Sequence, residues 1–98
     1  MQSQSGEMLL LTVVAEALLE DMLIDEVRSL GAAGYTVTDA RGWGRHGKRR
    51  GNWRQGGNIR LEVIASQELC DRIAARFKQQ YEDDYGLLMF TTPVALKN

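Results

Sequence analysis

The residues best equipped for chemistry lie in one stretch, residues 41–57 (RGWGRHGKRRGNWRQGG). It holds six of the chain's twelve basic residues: Arg41, Arg45, Lys48, Arg49, Arg50 and Arg54. Both tryptophans, Trp43 and Trp53, the single histidine, His46, and six of the ten glycines fall in it as well. No acidic residue lies between Asp39 and Glu62, so positive charge is concentrated here in a chain of net charge −1. Guanidinium groups are planar forks of donors, and glycine lets backbone N–H groups approach a ligand closely. Together they suit phosphate or a small planar anion. Glycine at this density does not sustain a helix or strand interior, because ordering it costs more backbone entropy than ordering any other residue. The expectation is a mobile anion-binding loop on a small domain. A solvated insertion is the bland alternative. Against it stand Gly42-Trp43-Gly44 at a strand exit and two tryptophans that bury large apolar areas when docked.

Other candidates carry less. Arg60 alternates away from Ile59, Leu61 and Val63 and follows the loop's return, where a phosphate contact is reasonable. His46 has no second histidine or cysteine nearby to share a metal. Cys70, the only cysteine, reads as a small core residue on an apolar helix face. Glu82-Asp83-Asp84 reads as a solvated helix end. No nucleophile–base pair, catalytic carboxylate pair or Walker-type loop is present, so the sequence makes no case for an enzyme.

These residues need a scaffold. The 98 residues, 44% hydrophobic and 26% charged, suit one globular domain spanning 1–98. The near-neutral total argues against a general nucleic-acid binder. A lone cysteine excludes an internal disulfide framework. The longest apolar run is too short to span a bilayer and no signal-like leader opens the chain, which points to the cytoplasm.

Residues 1–7 are polar and expected to be disordered. Residues 8–15 form a nearly unbroken apolar run, as in a central strand covered on both faces. From Ala17 the period changes: Leu19, Met22, Leu23, Val27 and Leu30 predict a helix ending at Gly31. A strand follows over residues 35–40, then the loop, then the clearest strand, residues 58–65. Ser66 should cap a second helix whose face carries Leu69, Ile73, Phe77 and Tyr81. A last strand over residues 87–92 is limited by Pro93 or put at an edge. This βαββαβ order predicts an α+β, ferredoxin-like fold, with a four-stranded antiparallel sheet and both helices on one face. The second and third strands are then a hairpin, yet seventeen residues separate them where about two to five suffice.

With the elements in place, residues 34–45 (GYTVTDARGWGR) resemble the PII signal-transduction family, whose second strand and loop base read G-x-T-V-T-x-x-x-G-x-G-R. The likeness continues through residues 58–64 (NIRLEVI) and the second helix, and it covers most of the chain. It implies a homotrimer holding adenine nucleotide in clefts between subunits, with residues 41–57 as the mobile T-loop that engages a partner. It places Thr36 and Val37 near the adenine, and Gly42, Trp43 and Gly44 at the loop base. Arg45 and Arg60 then meet phosphate, and Tyr85, Gly86 and Leu87 form the short loop that closes over the nucleotide. His46, Lys48, Arg49, Arg50, Trp53 and Arg54 belong to the partner-binding arm.

Several positions depart from the nitrogen regulators. The loop is shorter and lacks their modified tyrosine, His46 stands where they use glutamine, and Leu87 replaces the lysine that reaches the triphosphate. The basic C-terminal loop is absent. These losses weigh against ATP binding of the usual kind and against 2-oxoglutarate sensing. The end of the chain and its arginine-rich loop look more like the divergent branch tied to inorganic carbon, the carboxysome-associated proteins and bicarbonate-transporter regulators. That likeness implies ADP or AMP as ligand, bicarbonate as a second ligand, no required cofactor, and recruitment to a membrane transporter. Three alternatives stay open: a nitrogen-type sensor of ATP, ADP and 2-oxoglutarate; an RNA-binding ferredoxin-like module; and a small phosphohydrolase with Arg45 as anion clamp. Against RNA binding, residues 59–64 contain no aromatic for base stacking.

Overall fold

The apolar run that opens the chain forms β1 (Met8–Glu16), and it lies at the middle of the sheet. On one side it pairs antiparallel with β3 (Asn58–Ser66), on the other with β4 (Leu88–Val94). Outside β3 runs β2 (Thr36–Ala40), giving the order β2-β3-β1-β4. The computed structural model describes residues 7–42, 57–81, 83 and 85–98.

A 3-10 turn (Ala17–Leu19) leads from β1 into α1 (Glu20–Ser29), and α2 (Gln67–Tyr81) follows β3. Strand alternation sends Leu11, Val13, Ala15, Ile59, Leu61, Val63 and Ala65 into one core with Leu19, Leu23 and Val27 of the first helical segment and Cys70, Ile73 and Phe77 of α2. Phe77 and Tyr81 meet edge to face, ring centroids 6.0 Å apart. Arg76 donates to Glu26 at 2.7 Å and ties the helices across their outer side. The ferredoxin-like expectation is met.

Local signals act as expected at both helix ends that matter. Gly31 adopts φ 105°, and the N–H groups of Gly31 and Ala32 return to the carbonyls of Arg28 and Val27 at 3.1 and 3.0 Å, a Schellman cap. Ser66 Oγ accepts the N–H of Leu69 at 3.2 Å at the start of α2.

Differences are small and physical. The first helix begins as a 3-10 turn, and Leu19 at the N-cap of α1 has no polar side chain to cap it. Met22, expected inward, is 45% exposed. The buried line is Leu19, Leu23 and Val27, and at about 100° per residue Met22 falls roughly a quarter-turn to its side. β4 runs through Pro93, which is tolerated because β4 is an edge strand and its outer N–H positions need no partner.

Candidate functional site

Cross-strand register sorts the proposed site residues into rows on the sheet face away from the helices. One row reads Thr38, Arg60, Val14, Leu88; the next reads Thr36, Glu62, Thr12, Phe90. The terminal row, Ala40, Asn58 and Glu16, lies where residues 41–57 leave β2 and return to β3. The turn at residues 85–87 enters β4 at this same end. Gly57 (φ 85°) fixes the return, its carbonyl accepting the N–H of Ala17 at 2.9 Å.

Thr36 is exposed on the open face, whereas Val37 is half-buried toward the helices against Leu61. Their side chains therefore cannot both meet one ligand on the same face. β2 is an edge strand, and an edge leaves backbone N–H and C=O groups for other partners. Gly42 is exposed, and a Cβ there would have nothing within 4 Å. Arg60 stands on the open face with its Nε 3.4 Å from Glu62 Oε2. Its side chain is 51% exposed, so the pair is weak and the guanidinium can exchange partners at little cost. Tyr85 and Leu87 pack against the core, and the Tyr85 N–H donates to the Tyr81 carbonyl at 2.8 Å, leaving Gly86 exposed between them. Trp43, Gly44, Arg45, His46, Lys48, Arg49, Arg50, Trp53 and Arg54 lie outside the described residues.

Of the described members, Gly42 and residues 85–87 lie at one end of the sheet, Arg60 two residues in, and Thr36 and Val37 toward its middle, and they do not share one edge. Thr36 and Gly42 belong to the β2 edge and residues 85–87 to the β4 edge, with β3 and β1 between. Three interstrand spacings make that about 14 Å.

Two residues of this end went unnoticed in the sequence. Asn58 is 3% exposed and Glu16 is 7% exposed, directly opposite each other on β3 and β1. Asn58 Oδ1 is buried without a hydrogen-bond partner. Strand parity could have put both on the face of Arg60, but a polar residue at a strand end reads as solvated by default.

Proton affinities are displaced within the packed helices. Burial pushes the Cys70 thiol up, with Asp71 adding to the effect; burial and then Glu26 do the same for Tyr81. Among the described residues no group of three or more His, Cys, Asp or Glu could hold a metal, and no helix is long and apolar enough to cross a membrane.

Comparisons with known proteins agree with this architecture. The model of the family described as nitrogen regulatory protein P-II matches residues 8–96. Among solved structures, a PII-like signalling protein from Thermus thermophilus is 43% identical, with TM-score 0.75 over 91% of this chain and 87% of that one. CPII of Thiomonas intermedia, a nitrogen regulatory PII-like protein bound to ADP, AMP and bicarbonate, is 18% identical, with TM-score 0.78 over 94% of each chain. Another structure of that protein holds ADP, AMP and acetate. GlnK of Bacillus subtilis is 14% identical, with TM-score 0.68 over 92% of this chain and 87% of that one. No curated protein matches. At identities below a quarter the likeness speaks for the fold, but the family match over nearly the whole chain and the Thermus relative go further: this chain is a member of the P-II family, in its divergent PII-like branch.

Proposed function

We propose that the protein is a nonenzymatic, trimeric sensor that binds ADP or AMP between subunits, takes bicarbonate as a second ligand, and signals through residues 41–57. The observation that carries this reading is the split of the site between two sheet edges. The β2 edge with Gly42 and the turn at residues 85–87 share one end, yet lie on opposite edges with β3 and β1 between them, so each edge of a single chain offers only half of a cleft. When copies meet side by side, the β2 edge of one stands near the β4 edge of its neighbour, and the two half-sites become one cleft. The open sheet face favours such assembly. Ile64, Leu88 and Phe90 are 39%, 49% and 49% exposed there, beside the half-buried Leu10 and Val14, an apolar patch that a second copy would cover.

The basic composition of residues 41–45 suits the nucleotide's phosphates, and Arg60 is available on the same side. Leu87, standing where a lysine would reach a third phosphate, favours ADP or AMP over ATP. The ligands of CPII favour the same choice and supply the case for bicarbonate. Ligand would bind one state of residues 41–57 more tightly than another, and that difference in affinity shifts the populations a partner meets. An inorganic-carbon transporter is the kind of partner this reading names, which would bring a cytoplasmic protein to the membrane.

Calorimetry with ADP, AMP and ATP, each with and without bicarbonate, tests the reading. ADP or AMP should bind more tightly than ATP, and light scattering should give a trimer. Absence of binding by every adenine nucleotide at millimolar levels overturns it.

A further inference from the structure

Arg60 stands between two acceptors of its own strand. Along the open face of β3 the side chains run Asn58, Arg60, Glu62, each about 6.6 Å from the next. Toward Glu62 the guanidinium makes one contact, Nε to Oε2 at 3.4 Å, and the side chain is 51% exposed. Toward Asn58 it makes none, although Asn58 is 3% exposed and its Oδ1 is buried without a hydrogen-bond partner. An unpaired buried acceptor is costly, and native proteins keep few of them. Across the strands Arg60 faces Thr38 and Val14, neither of them charged. A guanidinium has five N–H donors, and a contact through Nε leaves several for another acceptor.

We propose that Arg60 is a two-position arm, resting on Glu62 without ligand and turning to Asn58 Oδ1 when it takes a phosphate. This rests on the adenine-nucleotide reading above and adds the residue that holds the arginine in place. An arginine docked on Glu62 is a poor phosphate donor, because the carboxylate beside it repels the incoming anion. The amide of Asn58 is neutral. One N–H given to Oδ1 fixes the plane of the guanidinium and leaves a pair of parallel donors for phosphate oxygens. The turn also carries the charge toward the end of the sheet where Gly42 and residues 85–87 lie. Leaving Glu62 costs little, since an exposed pair is weak, and the phosphate supplies the difference in affinity that shifts the arm.

The experiment measures ADP and adenosine affinity by calorimetry on the full chain at fixed ionic strength. It compares wild type with Asn58→Leu, Glu62→Gln, Arg60→Gln and the pairs that combine each of the first two with Arg60→Gln. Asn58→Leu removes the acceptor at similar volume and should weaken ADP about three- to tenfold, as loss of a hydrogen bond predicts. Glu62→Gln frees the arm and should tighten ADP about two- to fivefold, the range set by an exposed ion pair. In the Arg60→Gln background both effects should vanish, and adenosine, which has no phosphate, should bind all variants alike. The ligand-free melting temperature of Asn58→Leu should equal or exceed that of wild type, since its acceptor is unpaired in that state. Circular dichroism checks folding, and Asn58→Ala replaces Asn58→Leu if the latter does not fold.

ADP affinity unchanged in folded Asn58→Leu overturns the arm and leaves the nucleotide reading standing, as does unchanged affinity in Arg60→Gln. An Asn58→Leu loss that persists in the Arg60→Gln background assigns Asn58 to the ligand directly and overturns the inference. Weaker ADP binding by Glu62→Gln, or an equal change for adenosine, overturns the resting position on Glu62. A wild type that binds no adenine nucleotide defeats the underlying reading together with the inference.

Discussion

Thr38 and Leu88 mark the two edges of a single cross-strand row, with Arg60 and Val14 between them. All four turn away from the helices, so the row crosses the face that neither described helix covers. Its apolar end, Leu88, continues to Phe90 two residues on. Phe90→Asp adds a charge to a side chain already 49% exposed, so the protomer should fold with little loss. In an assembly that buries Phe90, the same charge would be desolvated without a partner. Light scattering should report monomers in place of trimers, and ADP affinity should fall at least tenfold, because the two half-sites no longer meet. A Phe90→Asp trimer that binds ADP like wild type would show that the sheet face is not the contact.

Gly31 and Gly34 look alike in the sequence and should respond differently. Neither has any atom within 4 Å of an added Cβ, so space does not separate them. Backbone conformation does: Gly31 has φ 105°, a region that a side chain occupies only with strain. Gly31→Ala should cost about 1 kcal/mol or slightly more. Gly34→Ala should be neutral or gain a few tenths of a kcal/mol by restricting the unfolded chain. Chemical denaturation at fixed protein concentration separates the two, since protomer concentration also sets the stability of an assembly.

The scaffold was readable because each of its features has a short-range cause. Ile59, Leu61 and Val63 alternate with polar residues and are buried; Gly31 stops α1 through its own φ; Ser66 caps α2 with its own hydroxyl. The apolar run of β1 carried a further message. It predicted burial on both faces, yet helices cover only one, which is the pattern expected when a second copy supplies the other cover. Met22 was misread because a three-residue step is a looser guide to burial than the four-residue line of Leu19, Leu23 and Val27. Asn58 was not readable. Which face it takes follows from parity, but that its oxygen lacks a partner depends on register with Glu16 and on packing around a strand end.

Gly42 offers a cleaner probe of the ligand position than its neighbours. It is exposed, its φ lies outside the left-handed region, and an added Cβ meets nothing. Gly42→Val should therefore change stability by less than about 0.5 kcal/mol. If backbone N–H groups at the loop base approach phosphate, the branched side chain will hold the nucleotide off, and ADP affinity should fall several-fold. Gly44→Val should behave in the same way. Calorimetry beside thermal melts distinguishes the effects; unchanged affinity in both folded variants would move the nucleotide away from the loop base.

Alkaline pH should weaken the fold through Cys70 and Tyr81. Burial holds both acids protonated more firmly in the folded chain than in the unfolded one, with Asp71 and Glu26 adding to the respective effects. Above the unfolded thiol value, about 8.5, the unfolded chain loses its proton first and the folded chain binds more protons. Stability contributed by the neutral thiol is thus complete below that pH and declines as pH rises toward the folded value. Tyr81 repeats the pattern from about 10 upward. The Cys70 Sγ also lies 3.8 Å from the Ala65 carbonyl, a contact that loses its donor when the thiolate forms. Melting temperatures measured from neutral to alkaline pH should fall more gently for Cys70→Ala than for wild type once pH passes the thiol range, although the variant starts lower because it leaves a small cavity. Thiol labelling of the folded wild type should stay slow across the same range and become fast on addition of denaturant. Rapid labelling without denaturant, or identical pH slopes for the two proteins, would contradict a buried, protonated Cys70.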